Sequence, residues 1–363
     1  MNNKEWFKSR KWGVFNHYLS PLQMEDYKYT KGKKLLSWDE TVNSFDTDAY
    51  AKTVNDMGAG YVVFTMGQSS KYWCAPNSAY NQITGYKTGE ACSTRDLIAD
   101  LIKSLEKYDI PLFLYTTGVG PSDDKQAGER MGLRRLTIED HVDDKFIRHW
   151  SMVLREYSLR YGKGVKGWWI DGCYDYIGYN DEYLAIFKEA VTAGNPDALV
   201  AFNNGTENKN PFDEKFKQFY NENDCHIRKL EKVEDALLTG LYDTEGYMET
   251  AVEKQYRKAD DFTAGERDEF NFYPSGEEIP PVWHILSFLG HLSGADSYKL
   301  PYQPNGSGWW GLGSRYSAEY MRDYVKKVND LGGVVSIDIA IFRDGSFDWG
   351  QVEALRLLKD LRK

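Results

Sequence analysis

Two rhythms of apolar and polar positions take turns along this chain. Residues 12–19 form a short apolar run broken by polar His17, which reads as a first strand. Over 47–57 the apolar positions Tyr50, Val54 and Met57 return at helical spacing, with Gly58 and Gly60 as the stop. A β-branched and aromatic run at 61–65 predicts a second strand, and the polar, ring-rich stretch 68–94 a long loop of the functional kind. Arg95-Asp96-Leu97 opens a helix whose Leu97, Ile98, Leu101, Ile102 and Leu105 share a face. The pattern continues with a strand at 112–116, a helix at 139–161 (Phe146, Trp150, Val153 and Leu154 inward), a strand at 165–171, a helix around 183–193 and a strand at 198–202. Residues 206–258 are charged and polar, helical near 229–241, and read as an excursion. Order returns at 261–263 and 283–292, then in a Gly/Trp-rich loop (305–313), a helix at 317–331, a strand at 332–339 and a helix at 348–362.

Strand and helix alternating at this spacing build βα units around a parallel sheet. A length of 363 residues suits one (β/α)8 TIM-like barrel over 1–363, with an insertion around 206–258 and no C-terminal β-sandwich. The stretch Val165-Lys166-Gly167-Trp168-Trp169-Ile170-Asp171-Gly172 is the most informative, because it is apolar on both faces and stops at a carboxylate. A barrel collects its chemistry at that end of its strands. Asp before Gly also suits a simple turn.

Composition narrows the chemistry. A net charge of −10 argues against a nucleic-acid or acidic-membrane partner, and no apolar run is long enough to span a bilayer. The 26 Tyr, 17 Phe and 11 Trp supply a large core, and the Tyr and Trp excess suits stacking on sugar faces. Cys74, Cys92, Cys173 and Cys225 form no CxxC pair, so neither a zinc site nor a disulfide framework is indicated, and no cofactor or metal is implied. Residues 1–6 lack an apolar leader run, which points to the cytoplasm as the sequence stands and to the periplasm or outside if a leader was removed. Oligomeric state is open.

No GxSxG elbow is present, and Gly118-Val119-Gly120 lacks the third glycine of a dinucleotide loop. His141 and His149 fall on a predicted helix as packing or surface groups. Polar residues recur just past predicted strand ends: His17, Gln68, Thr117, Asp171, Asn203 and, beyond a weak strand, Glu266. Two carboxyl groups on different strands, with His, Asn and rings, suit acid/base work on a neutral polar substrate such as a glycoside.

These segments, in their order, resemble the α-L-fucosidases of glycoside hydrolase family 29: Trp6-Phe7 with Lys11 to His17, Gly58 to Thr65, Arg95-Asp96-Leu97, Leu112 to Tyr115, Trp168 to Gly172, Asp261 to Glu266, Tyr273-Pro274, Trp283, and Gly332-Gly333 with Asp344-Gly345. The likeness runs the length of the chain. It implies a retaining exo-glycosidase for terminal L-fucose or a similarly configured sugar such as L-galactose, with Asp171 as nucleophile and Glu266 as acid/base, Glu269 in reserve. It also implies that His17, Asn203, Tyr115 and Trp283 line the sugar, beside Trp169. Where the family carries a His-His pair this chain reads Met66-Gly67-Gln68-Ser69, with Tyr72 beyond, and a Trp-Glu pair reads Trp283-His284. Gln68, Tyr72 and His284 therefore join the candidate lining, and a changed sugar preference is expected. The rival readings are an inactive carbohydrate-binding barrel and an interaction module built on 206–258.

Overall fold

The computed structural model describes residues 2–24, 35–133, 142–205, 256–267, 270–274, 276, 278–290, 309 and 311–362. The expected excursion thus lies outside the described residues but for its last three positions. So do its helical stretch, His141, His226, Cys225, Glu269 and most of the loop 305–313.

Among the described residues seven strands form one curled sheet: β1 Trp12–Asn16, β2 Val62–Thr65, β3 Leu112–Thr117, β4 Val165–Asp171, β5 Leu199–Phe202, β6 His284–Phe288 and β7 Val334–Asp338. Their order is β5-β4-β3-β2-β1-β7-β6 and each pairing is parallel. Residues 260–267 fill the gap between the two edge strands. Toward β6 this segment makes a backbone ladder, with Thr263 N donating to Val282 O (2.9 Å), Leu286 N to Gly265 O (2.8 Å) and Arg267 N to Leu286 O (2.8 Å). Toward β5 side chains take over: beyond Asp261 N to Val200 O (2.8 Å), the bonds run from Val200 N to Asp261 Oδ2 (3.0 Å) and from Phe202 N to Asp260 Oδ1 (2.9 Å). Eight strand positions therefore surround one interior, the (β/α)8-like barrel arrangement.

Inward side chains of the ring form one apolar cluster, including Phe15, Tyr61, Phe113, Tyr115, Trp169, Phe262 and Leu286. A larger one fills the layer between strands and helices. The helix Asn3–Arg10 was not legible from periodicity, since eight residues offer a single buried position, Phe7. The Asn2 side chain caps it by accepting from Glu5 N. Phe7 stops the ring at the N-terminal ends of the strands, its centroid 5.1–5.2 Å from those of Tyr61, Phe113 and Phe262.

Other boundaries moved for local reasons. The first strand ends at Asn16 instead of Leu19. The long helix begins at Asp144, where Asp143 caps Phe146 N. The loop 68–94 contains a short helix, Ser78–Thr84, capped by Asn77, and a capping box of Ser37 with Glu40 starts another at Trp38–Asn43. The last helix divides into Trp349–Ala354 and a 3₁₀ stretch, Arg356–Arg362. Cys74, Cys92 and Cys173 are buried free thiols. Among the described residues no helix is long and apolar enough to cross a membrane, and no group of three acidic, His or Cys side chains is placed to hold a metal.

Candidate active site

Side chains two apart on a strand point the same way, so each inward series climbs the ring in layers. Phe15 leads to His17, Tyr115 to Thr117, Trp169 to Asp171, Ala201 to Asn203, Ala264 to Glu266, Leu286 to Phe288 and Ser336 to Asp338. Thr117 pairs with Asp171 across β3 and β4, and side-chain bonds join Asp171 to Asn203, Asn203 to Glu266 and His17 to Asp338 at this end of the strands. The layer beneath is apolar but for Ser336 and the Tyr115 hydroxyl, and the top layer carries the carboxyl groups.

Asp171 is held from several sides. Tyr115 donates its hydroxyl to Oδ2 (2.7 Å), while Asn203 Nδ2 and the Gly172 amide each donate to Oδ1 at 2.8 Å. Burial, followed by the charges of Asp171 and Glu266, raises the Tyr115 phenol well above its usual range and keeps it a donor. Gly172 takes φ +70°, a conformation that glycine enters at little cost, and this turns the chain away just after the carboxylate that its amide binds. Asn203 Nδ2 also donates to Glu266 Oε2 at 2.5 Å. Bonds of 2.8 and 2.5 Å meeting at one nitrogen keep those oxygens within about 5.3 Å, and roughly 4.6 Å with ~120° between the amide hydrogens. Glu266 follows Gly265, whose φ is +64° and where an added Cβ would lie 1.8 Å from the His284 carbonyl oxygen. Both carboxylates thus adjoin a left-handed glycine.

His17 stands beside this pair. Its Nδ1 is 2.7 Å from Asp338 Oδ1, and its ring centroid is 5.6 Å from those of Tyr115 and Trp309. Trp169 lies one layer down, stacked on Tyr115 at 5.4 Å with Nε1 donating to Ala264 O. It supports the site from below. Asn203, expected as a sugar contact, ties the two carboxylates together.

Gln68 and Tyr72 are half-buried in the loop after β2, Tyr72 packing on Trp38 at 5.8 Å. Trp283 and His284 sit at the opposite end of the ring from the carboxylates. His284 is the first residue of β6 and pairs with Val334, four positions below Phe288 and Asp338, roughly 13 Å at strand rise. Its Nδ1 lies 2.9 Å from Thr263 O and its Nε2 2.8 Å from Ser336 Oγ, and burial pushes the imidazole down to about 4. It is a neutral core group that does not reach the layer of the carboxylates. Trp283, just before it, packs on Phe272. His149, as expected, is a packing group with Nδ1 3.0 Å from Met131 O. Asp338 was missed, although a strand ending on a carboxylate was the signal that singled out Asp171.

Comparison with known proteins gives this geometry a context. Among curated proteins none matches the sequence. Solved structures match across almost the whole chain. An α-L-fucosidase of family 29 from Bacteroides thetaiotaomicron is 15% identical with a TM-score of 0.58, covering 99% of this chain and 72% of that one. The α-L-fucosidase AlfC from Lactobacillus casei, in complex with an α-L-fucose product, is 13% identical at 0.54, covering 99% and 98%. An endo-fucoidan hydrolase of family 107 is 13% identical at 0.63, covering 98% and 53%. At such identities the likeness speaks for the fold. The sequence model of the alpha-L-fucosidase family matches residues 20–259, a span that includes Asp171 and Asn203 and stops before Glu266. With that match over well more than half its length, the chain belongs to the alpha-L-fucosidase family of glycoside hydrolases.

Proposed function

We propose that this barrel is a retaining exo-α-glycosidase that releases a terminal L-fucose or a sugar of the same ring configuration. The observation that carries the reading is the Asn203 bridge, which holds the Asp171 and Glu266 oxygens within about 5.3 Å. Retaining glycosidases place their carboxyl pair roughly 5–5.5 Å apart, whereas inverting ones need more room for a water.

On this reading an Asp171 oxygen forms a bond to the anomeric carbon as the bond from that carbon to the leaving oxygen breaks. Glu266 gives its proton to that oxygen. Water then attacks the same carbon, Glu266 takes a proton back, and the Asp171 ester opens to release the sugar. Tyr115, Gly172 and Asn203 stabilise the Asp171 carboxylate before attack and again on its departure. On this reading His17, whose ring lies between those of Tyr115 and Trp309, meets the sugar ring.

The test compares wild type with Asp171→Asn on a panel of aryl glycosides that includes α-L-fucoside and α-L-galactoside. Wild-type turnover is expected, with the α-anomer appearing first in proton NMR and the variant at least ~10³-fold slower. A β-anomer as the first product would refute retention. Binding of L-fucose without turnover of any glycoside would favour an inactive sugar-binding barrel instead.

A further inference from the structure

We infer that Asp338 is a positioning residue of this site, acting through His17. The inference rests on the glycosidase reading and adds a third carboxylate to it. Asp338 ends β7 as Asp171 ends β4, and the period-two alternation brings it to the same inward layer. Its side chain is 1% exposed and that of His17 is 8% exposed, with Nδ1 and Oδ1 2.7 Å apart.

A buried carboxylate at this distance accepts a hydrogen bond, so Nδ1 is the ring atom that carries a proton. The tautomer and ring plane of His17 are thereby set by a group that lies across the barrel seam between β1 and β7. The ring is held between Tyr115, whose hydroxyl binds Asp171, and Trp309. A buried charged partner is a strong restraint, because a rotated imidazole would leave the carboxylate without that donor inside the protein. The backbone reinforces the placement: Leu289 N donates to Asp338 O and Ile339 N to Phe15 O, locking the two strand ends in register. Asp338 therefore sets how the His17 ring edge meets a sugar hydroxyl, and it need not touch the sugar itself.

The test is a double-mutant cycle of His17→Ala and Asp338→Ala, read both as kcat/KM on an aryl α-L-fucoside and as L-fucose affinity by calorimetry. Imidazole ¹⁵N spectra of wild type and Asp338→Asn accompany it. Each single substitution is expected to lower kcat/KM by about 30- to 300-fold. The double variant is expected to fall no further than His17→Ala alone, since the second residue works through the first. In wild type the Nδ1 of His17 should carry a proton, and in Asp338→Asn its signal should broaden or move to a tautomer mixture. Multiplying losses in the cycle, or an unprotonated Nδ1 in wild type, overturn the inference. If Asp338→Ala does not fold, Asp338→Asn, which keeps the shape and one acceptor, replaces it in the cycle. If wild type neither binds L-fucose nor turns over a glycoside, the functional reading fails, and the ¹⁵N spectra still decide whether Asp338 fixes the ring.

Discussion

Replacing Asn203 by alanine removes the nitrogen that donates to Asp171 Oδ1 at 2.8 Å and to Glu266 Oε2 at 2.5 Å. Hydrogen bonds to charged groups contribute about 1.5–3 kcal/mol each, and two sharing one amide will not add fully. A loss of about 3–4 kcal/mol in transition-state stabilisation follows, which is about 10²- to 10³-fold in kcat/KM. Both carboxylates lose their common anchor, so activity on good and poor leaving groups should fall together. Asn203→Asp separates donation from size. It fills the same space but sets an acceptor against two carboxylates, and its loss should be at least as large. The assay is initial-rate hydrolysis of two aryl α-L-fucosides with phenols of different acidity, next to thermal melting to show that the variants are folded. Activity within threefold of wild type for a folded Asn203→Ala enzyme would refute the bridging argument.

Three further outcomes follow from the fold. His284 has its folded pKa at about 4, below the ~6.5 of an exposed imidazole, because burial disfavours its charge. Its contribution to stability is present above pH 6.5 and is lost, up to about 3 kcal/mol, as pH falls through 4. Urea midpoints from pH 7 to 4 should fall more steeply for wild type than for His284→Gln, and equal slopes would count against it. Gly265→Ala should move Glu266, since the new Cβ would lie 1.8 Å from the His284 carbonyl oxygen at a left-handed φ. The expected result is a loss larger for poor leaving groups, which need the proton, than for dinitrophenol; a uniform loss would point to general unfolding. Phe7→Ala should cost about 3–5 kcal/mol by opening a cavity under the ring, readable as a lowered melting temperature. A change of less than about 1 kcal/mol would mean that the ring closes without its stopper.

Strands were legible because a parallel sheet covered on both faces writes itself as unbroken apolar runs, as at 112–117 and 165–171. Short helices were not. Asn3–Arg10, Ser78–Thr84 and Lys125–Met131 span too few turns for periodicity to register, and capping residues alone announce them. In the site, Asp171 was legible because a charge ends an apolar strand. His284 entered the candidate lining through its match to a Trp-Glu pair of the family, and a matched position does not say which end of a strand it occupies. Only its pairing with Val334 shows that it opens β6 at the far end of the ring. The bridging role of Asn203 was invisible for another reason, since it depends on two side chains from other strands reaching one amide.

The segment that carries Glu266 is fastened differently on its two sides, and this governs what the barrel tolerates. A strand laddered to both neighbours cannot shift by one residue without turning every side chain to the wrong face. Residues 260–267 obey that rule against β6, but against β5 they hang largely on the carboxylates of Asp260 and Asp261. Such hooks permit lengthening, shortening or rebuilding of the chain on that flank while the β4 platform under Asp171 stays put. On the proposed mechanism the proton-handling half of the site can thus drift in sequence, while the half that would meet the anomeric carbon is tied to the fold. An engineer seeking a new leaving-group preference would vary the β5 flank and leave β4 alone.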